Sequence, residues 1–237
     1  MSDPQLQITA DGSHTLYIPA LDEHYHSIHG AIRESEHVFI REGLKQCTKK
    51  EIHVLELGFG TGLNGLLTCL EAMKDGRTIH YTALEKYPLS EELINRLNYG
   101  EMLGRKDLYQ AIHSAAWEII QWITPEFCLR KVQTDFSQFD YSAHFDVVYY
   151  DAFAPEKQPS AWSLALFEKI HHAMNDGGIL TTYCAKGSVR RMLQQAGFDV
   201  VRIPGPPGKR QMIRAVNSFS THLPVSISTL TFQKNIK

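Results

Sequence analysis

The residues able to do chemistry stand at the ends of runs of β-forming side chains. FDVVYY covers residues 145–150 and stops at Asp151, which is followed by Ala-Phe-Ala-Pro. A carboxylate at the end of a buried strand is costly unless something satisfies it. In an open α/β sheet that end is also where ligands sit. Asp151 is therefore the leading candidate for a catalytic side chain. Upstream, IHVLEL runs into GFGTGLNG, so Glu56 precedes Gly58, Gly60 and Gly62. Glycines at such a junction let the main chain approach a ligand closely and expose amides at a helix N-terminus. Two more strand-like runs end in acids, IHYTALE at Glu85 and LRKVQTD at Asp135.

Two nucleotide-like ligands compete for the glycine loop. Gly60-x-Gly62-x-x-Gly65 fits the dinucleotide fingerprint, with Glu85 about a strand-length further on. Glu56-x-Gly58-x-Gly60-x-Gly62 fits the first motif of S-adenosylmethionine (SAM) methyltransferases. There the acid can meet the cationic amino group of the methionine part. The second reading is preferred, because Glu56 has no task in a dinucleotide site and the first strand begins only near residue 51. In either reading Glu85 takes the ribose hydroxyls. Asp135 would accept from the adenine amino group, or else occupy a surface turn.

The elements that must position these residues alternate. After an irregular or hairpin start and a helix near 34–47, strands are expected at 52–57, 79–85, 129–135, 145–151, 179–183, 198–203 and 210–216. Helices are expected at about 63–73, 90–97, 107–122, 161–174 and 188–196. This predicts an α/β, Rossmann-like methyltransferase fold. Its sheet has seven strands, mostly parallel, closed by a C-terminal antiparallel hairpin. Residues 1–50 are an N-terminal extension, 51–218 the methyltransferase domain and 219–237 a C-terminal tail.

Composition excludes several classes. With 43% hydrophobic and 21% charged residues and a net charge of −2, the chain can bury a core and carries no global basic field. No apolar run suits a membrane span, and the N-terminus lacks the pattern of a secretory signal. Cys47, Cys69, Cys128 and Cys184 are scattered without a CxxC pair, which favours reduced thiols and a cytoplasmic location. His24, His26 and His29 lie near Asp22 and Glu23, but with no second cluster they are not taken as a metal site. Residues 186–214 hold Lys186, Arg190, Arg191, Arg202, Lys209, Arg210 and Arg214 against the single acid Asp199, either a solvated face or a phosphate-binding one.

The stretch DAFAPEKQPSAW, with Asp151, Phe153, Pro155, Pro159 and Trp162, resembles the methyltransferase part of the bifunctional tRNA 5-methylaminomethyl-2-thiouridine biosynthesis (MnmC) family. ELGFGTGLN is similar to that family's cofactor loop, including Phe59 and Asn64. YHSIHGAIRESEHVF resembles its N-terminal segment through Tyr25, Ser27, Gly30, Glu34, Val38 and Phe39. VRRMLQQAGFDV and GKRQM resemble its C-terminal segment. The Gly205-Pro-Pro-Gly208 loop departs from the family pattern. So does the length, which leaves no room for the flavin-dependent oxidase domain of the fused members.

The resemblance implies a stand-alone enzyme. It would methylate the aminomethyl group of a wobble uridine in tRNA with SAM, releasing S-adenosylhomocysteine. A separate enzyme would supply the aminomethyl precursor, and neither a metal nor a membrane is involved. It assigns the extension, residues 1–50, to covering the cofactor site, Asp151 to the amine, and Phe153, Pro155 and Trp162 to a wall around the base. Lys209 and Arg210 are assigned to tRNA. The competing readings are an aminopropyltransferase of the spermidine-synthase kind and a SAM- or RNA-binding module without catalysis.

Overall fold

The structure, a computed structural model, describes residues 3–218, so the expected tail 219–237 lies outside the described residues. The chain opens with three short antiparallel strands, β1 (Gln5–Ile8), β2 (His14–Ile18) and β3 (Glu23–His24). Helix α1 (Ala31–Ser35) follows and runs directly into a π-helical segment, Glu36–Arg41. The expected helix near residues 34–47 is thus an α-turn, a π segment and a short 3₁₀ turn at Leu44–Gln46. Val38, Phe39 and Ile40 of this layer are buried, and the Phe39 ring packs 5.1 Å from that of Tyr149.

The alternating part begins at β4 (Glu51–Leu57), α2 (Leu63–Asp75) and β5 (Thr78–Glu85). Next come α3 (Glu91–Arg96), α4 (Tyr99–Met102), α5 (Lys106–Ser114), β6 (Ile120–Thr124) and β7 (Phe127–Gln133). The chain continues through β8 (Phe145–Tyr150), α6 (Leu164–His172), β9 (Met174–Thr182), α7 (Gly187–Gln195), β10 (Phe198–Pro204) and β11 (Gln211–Asn217). Val, Ile and Leu dominate β4, and β8 is buried at every position, as expected of strands covered on both faces. One core layer joins the sheet to α2 and α5, and the other joins it to α6 and α7. No helix among the described residues is long and apolar enough to cross a membrane. The four cysteines are free thiols.

The large sheet has eight strands in the order β10-β11-β9-β8-β4-β5-β7-β6, not the seven expected. The extra one is β6, antiparallel to β7, in a stretch expected to be helix. Helix α5 stops at Ser114, and Glu118 takes a positive φ of 65°, which a continuing helix would not allow. Ile120 and Trp122 of β6 are 64% and 55% exposed. Apolar residues that looked like a helix face therefore lie on an open sheet edge, where β-branched and aromatic side chains favour the extended form.

The chain order changes direction at one place. From β4 it proceeds outward through β5 to β7, then returns to lay β8 on the other side of β4. The C-terminal ends of β4 and β8 therefore flank the switch point, where open α/β sheets bind ligands. The glycine loop follows the first of these strands, and Asp151 follows the second.

Candidate active site

A cavity of about 510 Å³ opens at this point. Its wall includes Gly58, Phe59, Gly60 and Asn64 of the loop, Glu85 after β5, Asp135 after β7, and Asp151 and Phe153 after β8. The loop conformation needs its glycines. Gly58 has φ 97°, and a Cβ there would meet the Asp151 carbonyl oxygen at 2.6 Å. The two strand-end loops can touch only because that side chain is missing. Gly62, at φ 72°, caps the start of α2, where a Cβ would meet the His113 and Phe59 rings.

Asn64 organises the acids. Its Nδ2 donates to Glu56 Oε1 at 2.9 Å and to Asp151 Oδ2 at 2.8 Å, so one amide spends both its hydrogens on two carboxylates. Glu56 is fully buried beneath this bridge and does not line the cavity, so the sequence expectation of direct contact with a ligand's amino group is replaced by a link through Asn64. Burial raises the Glu56 pKa well above the usual carboxylate range. Burial, reinforced by Glu34, raises that of Asp151 to about 7. Two carboxylates sharing one donor in a poorly solvated site behave this way, because their charged forms are disfavoured together.

Glu85 accepts the Gly60 N–H on Oε2 at 3.0 Å and the Tyr87 N–H on Oε1 at 2.8 Å. A carboxylate retains lone pairs beyond these two, as a pair of ribose hydroxyls would require. Asp135 caps a turn. It accepts from the Ser137 amide and hydroxyl and meets Lys86 Nζ at 3.0 Å. The Ser137 hydroxyl first, and then the Ser137 amide, hold its pKa at about 2. Asp135 thus combines both readings of the sequence, a turn residue that also lines the cavity.

The loop after β8 divides. Phe153 faces the cavity and meets the Tyr25 ring edge-on at 5.1 Å. Trp162 does not face it. It is 5% exposed, packs on Tyr150 and Phe167, and donates Nε1–H to the Phe153 carbonyl at 2.7 Å. It supports the wall from behind. Pro155 is half-buried and is not part of the lining, whereas Lys157, Gln158 and Ser160 are. Lys209 also turns inward, pairing with Glu34 at 2.7 Å and lying 3.9 Å from the centre of the Tyr183 ring, while Arg210 is exposed.

Several lining residues were not singled out from the pattern alone. Tyr25 lies against Gly60, and His26 Nε2 reaches the Thr61 hydroxyl at 2.6 Å. The Thr61 carbonyl accepts from Tyr109 Oη and His113 Nε2. The glycine loop is thereby clamped between the N-terminal layer and α5. Tyr183 directly follows β9, so the strand-end rule that selects Asp151 would have found it too.

The residues fit a nucleoside carrying a cationic amino-acid tail. Asn64 Oδ1 is buried without a hydrogen-bond partner among the described residues, whereas the Glu56 carboxylate and the Tyr81 hydroxyl, neither of which lines the cavity, interact with each other. The unpartnered Asn64 oxygen beside the Asp151 carboxylate at one end and the Glu85 carboxylate at the other suit an ammonium group and a ribose. The His24, His26 and His29 segment is spent on hydrogen bonds and packing, with His24 on Gln7 and His26 on Thr61.

Comparison with known proteins agrees. Residues 111–218 match the family described as S-adenosyl-L-methionine-dependent methyltransferase. The tRNA 5-methylaminomethyl-2-thiouridine biosynthesis bifunctional protein MnmC of Cupriavidus necator is 33% identical over 211 residues, 83% of this chain and 32% of that protein. The chain thus spans about a third of the length of the curated relatives it matches. The crystal structure of MNMC2 from Aquifex aeolicus superposes with a TM-score of 0.71 at 26% identity, covering 92% of this chain and 71% of that one. Spermidine synthase from Thermotoga maritima shares the fold alone, with a TM-score of 0.53 at 12% identity over 90% of this chain and 72% of that one. The chain is thus similar over residues 111–218 to the S-adenosyl-L-methionine-dependent methyltransferase family and, over most of its length, to the MnmC proteins.

Proposed function

We propose that the protein transfers a methyl group from SAM to the primary amine of 5-aminomethyl-2-thiouridine at the wobble position of tRNA, giving 5-methylaminomethyl-2-thiouridine. The observation that carries this reading is the carboxylate of Asp151, held by Asn64 in the same cavity as the glycine loop. Residues 1–50 would cover the cofactor and 51–218 would form the transferase, working in the cytoplasm beside a separate enzyme that makes the aminomethyl group. The name of the Cupriavidus relative supports the choice of substrate.

When bound, SAM supplies a methyl carbon made electrophilic by its sulfonium. Gly58 and Gly60 would let it approach, Glu85 would take its ribose, and Glu56 through Asn64 would face its amino group. The amine would take that carbon through its lone pair, leaving the carbon–sulfur electron pair on sulfur. Positive charge therefore develops on nitrogen. Asp151 beside that nitrogen holds an N–H, aligns the lone pair and stabilises the charge as it grows. The proton released from the product ammonium passes to Asp151 or water. Phe153 and Tyr25 form an apolar wall that excludes solvent. Incubation of the protein with SAM and tRNA carrying the aminomethyl nucleoside, followed by mass spectrometry of the nucleosides, tests this. A gain of one methyl group on that nucleoside is expected, and an unmodified nucleoside overturns the proposal. Decarboxylated SAM with a polyamine in the same assay tests aminopropyl transfer.

A further inference from the structure

Glu34 and Lys209 come from distant parts of the chain. Glu34 is in α1, is 7% exposed, and accepts the Ser27 N–H on Oε2 at 2.7 Å. Its other oxygen takes Lys209 Nζ at 2.7 Å. Lys209 belongs to the loop between β10 and β11, and its ammonium lies over the Tyr183 ring. Tyr183 in turn donates its hydroxyl to the Ala152 carbonyl, the residue next to Asp151, at 2.8 Å. Both members of the pair line the cavity that contains Asp151. A second tie between the same two layers, His37 Nε2 to the Pro204 carbonyl at 2.9 Å, fixes the loop's base.

We propose that the Glu34–Lys209 ion pair is a positioning device for the transfer: it pins the β10–β11 loop to the N-terminal layer and holds an ammonium facing the cavity that Asp151 occupies. This rests on the amine-methylating reading of the site. The charges around Asp151 explain why such a device is needed. Facing it are Glu56 from β4, Tyr81 from β5, Asn64 from α2, Glu34 from α1, Tyr183 after β9 and Lys209 from the hairpin loop. Lys209 is the one cation in that set. Burial and Glu34 push Asp151 toward its neutral form, while Asn64 and Lys209 pull it back. The ammonium also opposes protonation of an incoming amine, which must arrive neutral to attack. One positive charge thus favours the reactive state of both partners, the anionic acid and the neutral amine. Glu34 keeps Lys209 in place, at the cost of one further negative charge nearby.

The test follows the Asp151 carboxyl carbon by ¹³C NMR across pH, with no substrate present and with Asp151→Asn used to assign the signal. In Lys209→Met the Asp151 titration should move up by about one pH unit, in Lys209→Arg it should stay near wild type, and in Glu34→Gln it should move down. The acidic limb of kcat for methyl transfer should shift in the same directions. If Lys209→Met lowers kcat equally at every pH and leaves the Asp151 titration where it was, the pair is only a structural clasp and the inference is wrong. Should Lys209→Met fail to fold, an unshifted titration in Glu34→Gln overturns it equally. A wild-type protein that methylates nothing would sink the proposed reaction, while the substrate-free titration still decides the role of the pair.

Discussion

At the scale of single residues, the chemistry rests on how Asp151 is kept partly out of water yet able to ionise. With its pKa raised to about 7, the acid is half protonated near neutrality. If the anion is the working form, kcat/KM should rise with pH through about 7. Asp151→Asn keeps the shape and an acceptor but removes the charge. Its kcat should fall by about 10²–10³, the loss typical of one preorganised electrostatic contact. Its acidic limb should move to lower pH, because the titrating acid is gone and the bound amine deprotonates more readily without an anion beside it. S-adenosylmethionine affinity measured by calorimetry should barely change. An Asn variant with near-normal turnover would show that Asp151 does not face the amine. Glu85 tests the other end of the site. Glu85→Ala removes charge-assisted bonds to ribose and releases the Gly60 amide, so cofactor binding should weaken by about 1–3 kcal/mol. An unchanged dissociation constant would place the ribose elsewhere.

At the scale of elements, the N-terminal layer and α5 act as jaws on the glycine loop. Thr61 is the point of grip, with its hydroxyl on His26 and its carbonyl on Tyr109 and His113. A carbonyl only accepts, so His113 carries its proton on Nε2. Both histidines have pKa values lowered to about 4, chiefly by burial, and the neutral ring is the form that the packing tolerates. Their folded-state values lie below the unfolded value of 6.5, so their contribution to stability is complete above pH 6.5 and drains away as pH falls toward 4. His26→Gln keeps a polar side chain but cannot titrate. Its Tm should be lower than wild type at pH 7.5, yet should fall less between pH 6.5 and 4.5 in a calorimetric scan. Parallel melting curves for the two proteins over that range would remove His26 from the acid response. Little of this clamp was legible in the sequence. Histidine spacing in HYHSIH suggests ligands, whereas the partner of His26 is 35 positions away and is found only once β4 and α5 are packed. By contrast, the loop-bearing strands were legible, because continuous Val, Ile and Leu runs bounded by glycine or an acid have few other meanings. Among the strands of the large sheet, the one misread, β6, is an exposed edge whose Ile120 and Trp122 mimic a helix stripe.

At the scale of the whole molecule, a net charge of −2 conceals a local imbalance, and the fold sorts the basic residues that the sequence grouped together. Lys186 pairs with Glu156, Lys209 turns into the cavity toward Glu34, and Arg214 meets Glu42 at 3.1 Å. Composition could not make this distinction, since pairing depends on acids from the N-terminal layer and the β8 loop that lie far off in the chain. Arg191, Arg202 and Arg210 remain exposed, and the Arg191 and Arg202 guanidinium groups converge over Gly187, at the start of α7. If tRNA is the substrate, this face is the fitting place for its backbone, because each arginine that neutralises a phosphate releases counterions and adds to the salt dependence of binding. Replacing all three with alanine should therefore weaken tRNA binding and flatten the plot of log Kd against log salt by about 2–3 units of slope. S-adenosylmethionine affinity should stay unchanged, since none of the three lines the cavity. The Lys209→Ala variant should behave differently. It should alter turnover and its pH dependence while leaving the salt slope near wild type, because its charge is spent on Glu34 and the Tyr183 ring. Binding measured at four or more salt concentrations separates the two outcomes, and a triple variant with the wild-type slope would show that the arginine face is merely solvated.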